Sequence, residues 1–280
     1  MNIDQQRAAG AVTTHRNRLI ATRQRAAIAA AGIWQALIPA DEPTTHAQLV
    51  ALESQWLDTA TTTAQAAAIV AVEDSRAYVQ ELAAAAGINI QPERIAQPSS
   101  TARRSLIQAI ITLRARLEVG DDWKRARTIA EGRARRQAST TIVQASDRSA
   151  NLAAKASGTF TGWRRITGAQ PCGACLAAAT ATIQPLDEPL GFHLGCRCSR
   201  IFLPNGVHPD ELSWIPTGQQ RFDALTTDQQ NALFQGRGGA DKAELIRTGK
   251  VPLEALIRES HGQAAEQTLD ELRLIAKAQS

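Results

Sequence analysis

Apolar positions recur at helical spacing over the first 157 residues, and Pro and Gly mark the breaks between runs. Residues 3 to 38 predict a first helix, stopped by Pro39 and Pro43. Thr44 or Thr45 caps a second that reaches Ala86 and ends at Gly87. Its stripe runs through Leu49, Leu52 and Trp56 and continues through Ile69, Val72, Val79 and Leu82. After a loop holding Pro92 and Pro98, Ser99 or Ser100 opens a third helix. Leu106, Ile110, Leu113 and Leu117 form its amphipathic face, and Gly120 closes it. From 121 to about 157 the pattern stays helical, but its large apolar residues thin to Trp123, Ile129, Ile142, Val143 and Leu152.

Beyond Gly158 the period shortens. Residues 159–167 mix aromatic and β-branched side chains, as do Cys198–Leu203 before Pro204, so two short strands are expected with one helical turn at Ala177–Ala179 between them. The remainder predicts short helices near 219–235, 240–248, 251–261 and 263–277. The chain is therefore expected to be mainly α, with a helical domain over 1–157, a small β-ribbon module over 158–205 and a small helical region over 206–280.

Abundant alanine and few aromatics favour helices packed through small side chains. The net charge of +4 permits nucleic-acid contact without requiring it. No apolar run is long enough to span a bilayer, so no membrane partner is expected. The residues after Met1 have neither the basic start nor the apolar core of an export signal, which predicts a protein that stays in the cytoplasm where it is made.

All four cysteines fall within 27 residues: Cys172-x2-Cys175, then His193-x2-Cys196-Arg197-Cys198. A C-x2-C pair grips one face of a soft metal, and a second cluster about 20 residues on closes a tetrahedron, the spacing logic of a zinc ribbon. If 196–198 is extended, Cys196 and Cys198 point to the same side, and His193 competes for the fourth position. A ribbon this short buries too little apolar area to fold without such a pin. Two disulfides would need an oxidising compartment, and a dithiol redox motif would need a βαβ setting. Five candidate ligands around one ion fit a closed structural site rather than a catalytic one, and Asp187 and Glu188 read as loop charges. No nucleophile elbow accompanies His15, His46, His208 or His261, so no enzymatic activity is expected.

These residues resemble the phage Mu F-like minor head proteins of tailed phages and prophages, of the actinobacteriophage type. The likeness is carried by Gly162-Trp163-Arg164-Arg165-Ile166, Cys172-x2-Cys175 and Phe192-His193-Leu194-Gly195-Cys196-Arg197-Cys198. It continues in Arg221–Leu225, Thr226–Gln230 and Arg247–Glu254, covering about half the chain, from near 120 to near 258. Leu194-Gly195 departs from the residues usual there, although glycine permits the tight turn a metal loop needs. The resemblance implies a minor capsid protein acting in head assembly or DNA packaging and delivery. Its partners would be the portal protein, the major capsid protein and packaged double-stranded DNA, and its location the capsid interior or portal vertex. A sequence-nonspecific nucleic-acid-binding zinc protein is the alternative, with capsid maturation protease a third.

Two surfaces follow as expectations. The basic run Lys124, Arg125, Arg127, Arg133, Arg135 and Arg136 reads either as a solvated helix face or as a DNA-facing one. Trp34, Leu37 and Ile38, at the end of the first helix, read either as partner-docking anchors or as the close of the bundle core.

Overall fold

The computed structural model describes residues 3–91, 100–168, 171–191, 198–234, 238–260 and 263–279. The chain is mainly α-helical and divides into two compact units. One comprises Gly10–Glu81 and Gln91–Ala156; the other comprises Met1–Ala9, Leu82–Ile90 and Ser157–Ser280. The segments read from sequence as a ribbon module and a separate C-terminal region thus lie in one unit.

The helical unit is built from α1 (Gln5–Leu37) from Gly10 on, α2 (His46–Ala85) as far as Glu81, α3 (Ser100–Glu118), and α4 (Trp123–Ser157) as far as Ala156. Thr45 caps α2 through its hydroxyl, which accepts from the Gln48 amide at 3.2 Å, while Gln48 Oε1 accepts the Thr45 amide at 3.2 Å. That reciprocal pair satisfies two backbone donors the first turn leaves open. Gly87 and Gly120 take positive φ just beyond α2 and α3, as expected of chain-reversing glycines. Trp34 meets Trp56 edge-on at 4.9 Å and His15 stacks on Tyr78 at 4.3 Å, so α1 and α2 run antiparallel.

All four helices feed one core, in which Leu106 and Leu113 are fully enclosed. Trp34 and Ile38 are enclosed there too and half-buried Leu37 packs against them, the arrangement of the reading in which these residues close the bundle core. Ile69, expected in the α2 stripe, is instead 62% exposed. The expectation that α4 buries little is corrected as well: Ala126, Ala130, Ala134 and Ala138 recur every fourth residue and are all buried. Small side chains let neighbouring backbones approach, so α4 packs largely through alanine, serine and threonine, with Trp123, Ile142 and Val143 as its buried large groups.

In the mixed unit, β1 (Phe160–Ile166) is the centre of a three-stranded antiparallel sheet in the order β2-β1-β3, with β2 at Gln184–Pro185 and β3 at Ser199–Pro204. Trp163 pairs with Gln184 on one side and Phe202 on the other. A short helix, α5 (Gly173–Ala177), stands one turn earlier than expected. Next come α6 (Gly218–Asp223), α7 (Thr227–Ala232) and α8 (Gly239–Arg247). Thr217 and Thr226 each close a capping box, with Gln220 and Gln229. Of the two final helices expected from 251, the first gives way to a 3-10 turn at Leu253–Leu256 and a hairpin of β4 (Ile257–Ser260) and β5 (Gln263–Glu266), and the second is α9 (Leu269–Gln279), which starts six residues later than expected. The helical propensity of Gln263-Ala-Ala-Glu yields there to strand pairing.

Candidate metal centre

Cys172 is the N-cap of α5 in extended backbone conformation, φ −84° and ψ 169°, and Cys175 lies within that single turn. Cys198 immediately precedes β3. Folding β3 back along β1 therefore returns Cys198 to α5: Cys175 and Cys198 pack together, both buried, and half-buried Cys172 packs against them. Of the five residues expected as ligands, these three are brought together, whereas His193 and Cys196 lie outside the described residues. Among the described residues no group of three or more His, Cys, Asp or Glu is arranged to hold a metal ion. The donor chemistry nevertheless fits a soft cation, since sulfur ligands select zinc over hard, oxygen-seeking metals. Asp187 and Glu188 are exposed, in keeping with loop charges.

Three arginines, unnoticed in the sequence beyond their place in strands, organise the backbone around the cysteines. Arg164, 4% exposed, donates to the carbonyls of Thr180 (3.0 Å), Leu212 (3.0 Å) and Ile215 (2.9 Å). Burial lowers its pKa, because the charged form loses water that these carbonyls only partly replace. Arg200 lies 4.2 Å over the Trp163 ring and donates to the Glu188 carbonyl at 2.9 Å, while Trp163 Nε1 donates to the Pro185 carbonyl at 2.9 Å. Arg165, opposite Arg200 in the register, donates to the Gly191 carbonyl at 3.2 Å. The loop that leads into the second cysteine cluster is thus tied to the sheet by charged donors aimed at its carbonyls. The alternating Trp-Arg-Arg of a strand was the available signal, but only the fold shows which carbonyls these side chains meet.

The basic run of α4 is divided. Arg127 Nε donates to the Ile38 carbonyl at 2.9 Å, Arg125 pairs with Asp121 at 3.4 Å and Arg135 with Glu131 at 2.9 Å. Lys124 and Arg136 are exposed and Arg133 is half-buried. No helix among the described residues is long and apolar enough to cross a membrane. No family model, curated protein or solved structure matches the chain.

Proposed function

We propose that this chain is a minor head protein of a tailed phage or prophage, acting at the portal vertex or capsid interior in head assembly or DNA delivery, with its mixed unit closed by a structural zinc. One observation carries the reading. The two separated stretches behind the resemblance to Mu F-like proteins meet in a single core, where Leu176, beside Cys175, packs with Phe222, Val251 and Leu253. Parts so distant in sequence that share one core form one functional module, and its cysteine turn is a wall of that core. Cys172, Cys175 and Cys198 would hold the ion, together with a fourth donor from His193 or Cys196. Zinc supplies there a cross-link between α5 and the edge of β3 that a core this small needs. The role is architectural, with no reaction assigned. A DNA-facing α4 is the weaker reading, because three of its six cations already face partners within the chain.

The test is incorporation. Heads purified from phage-producing cells that carry the gene should contain this chain co-sedimenting with portal and major capsid protein. Heads that mature and retain DNA normally when the gene is deleted, with the chain absent from wild-type particles, would reject the assignment.

A further inference from the structure

The third helix has a second apolar face. Its inner side, through Ala102, Leu106, Ala109, Ile110 and Leu113, belongs to the bundle core. At about 100° per residue, the stripe opposite that core runs through Arg104, Ile107, Ile111, Ala115 and Glu118. All five are exposed, Ile107 by 37% and Ile111 by 50%, and Val119 beside them is 71% exposed. Arg104, Ile111 and Glu118 stand seven residues apart with Ile107 between, the spacing of a helix–helix seam.

The charges on this helix separate into two groups. Arg103 pairs with Asp58, Arg114 with Glu53 and Arg116 with Asp121, so these three hold α3 to its own chain. Arg104 and Glu118 make no ion pair or hydrogen bond among the described residues, and Glu118 acts within the chain only through its charge on Arg114, one turn back. Glu118 also sits at the wrong end for its own helix, since a carboxylate on the last residue opposes the helix dipole. The placement of Arg104 and Glu118 becomes favourable against a second copy of the same helix. In an antiparallel pair with its twofold axis at Ile111, Arg104 of each copy faces Glu118 of the other, Ile107 faces Ala115, and the two Ile111 side chains meet on the axis. A parallel pair would set Arg104 against Arg104 and Glu118 against Glu118. The stripe is thus self-complementary in one orientation only, as an isologous interface must be.

We propose that two copies of this chain associate antiparallel through α3, in a weak, concentration-dependent dimer of the kind small interfaces give. Sedimentation equilibrium of the full chain from about 1 to about 100 μM, a range that brackets micromolar dissociation constants, tests it. The weight-average mass should rise from monomer toward dimer. Ile111→Glu should weaken association at least tenfold with the circular dichroism spectrum unchanged, because the position is on the surface. Arg104→Glu should also weaken it, and adding Glu118→Arg to that variant should restore association by reversing the pair. A chain monomeric throughout, a dimer indifferent to Ile111→Glu, or a double variant no better than Arg104→Glu alone would each overturn the proposal.

Discussion

The Gly218 amide donates to the Ala179 carbonyl at 2.7 Å, and its Cα stands so close to the Leu176 carbonyl that no Cβ fits between them. Through this contact α6 rests directly on the backbone leaving the cysteine turn. Gly218→Ala must push that backbone away, and the expected loss is about 3 kcal/mol or more, in the range of overpacking against a group that cannot move. Urea denaturation followed by tryptophan fluorescence measures it. Gly32→Ala on α1 is the control: a Cβ there meets nothing within 4 Å, so it should stabilise by roughly 0.5–1 kcal/mol. Equal effects at the two positions would show that the Leu176 contact imposes no constraint.

Cysteine replacement should reach further than the ribbon. Leu176 and Ala177 follow Cys175 in the same turn and pack with Phe222 and Phe234, and a Cβ on Gly173 would stand 2.5 Å from the Phe234 ring. Protein purified without chelator should hold about one zinc per chain. Cys175→Ser should release it and speed amide exchange across both 160–204 and 218–256, leaving 10–81 unchanged. Exchange confined to 160–204 would show the two parts to be energetically separate, and a metal-free wild-type protein would reject the zinc itself.

The legible part of this fold was the part written in large apolar side chains and helix punctuation. Leu106, Ile110 and Leu113 announce α3, and Gly87, Gly120 and Gly158 fall where chains reverse with positive φ. The alanine stripe of α4 was not legible, because alanine is as common on exposed helix faces as in cores and only a close neighbour decides between them. The hairpin 257–266 was hidden for a related reason: Gln263-Ala-Ala-Glu favours helix locally, and strand pairing is a non-local event. At the site, spacing foretold that Cys172, Cys175 and Cys198 would meet, whereas the arginine-to-carbonyl contacts depend on loop paths that no spacing encodes.

Arg164 should be the most costly side chain of the sheet to replace. It bridges the carbonyls of Thr180, Leu212 and Ile215, which come from two separate segments of the chain. Arg164→Met removes charge-assisted bonds and leaves buried acceptors unsatisfied, an expected loss of about 4 kcal/mol by urea denaturation. Arg164→Lys should recover little of this, since one ammonium cannot span the positions a planar guanidinium reaches. Full stability in the lysine variant would show that charge, and not the fork geometry, holds these loops.

His15 should set the acid limit of the helical unit. It is 5% exposed, stacks on Tyr78, and its Nε2 lies 3.5 Å from the Ser146 hydroxyl, which in turn meets Ser75 at 2.8 Å. Its Nδ1 has no hydrogen-bond partner among the described residues. Burial, reinforced by the nearby Arg18 charge and only partly opposed by Asp74, lowers its pKa from 6.5 to about 4. The unfolded chain therefore binds a proton that the native state refuses between those two values. Stability contributed by keeping His15 neutral is complete above pH 6.5 and declines as the pH falls toward 4, by about 3 kcal/mol in all. His15→Phe retains an aromatic ring for the stack with Tyr78 and cannot titrate, so it should flatten the stability profile between pH 6.5 and 4 and change it little above pH 7. Parallel urea titrations of the two proteins across that window decide the matter: profiles with the same slope would mean that the acid sensitivity of the bundle resides in other groups.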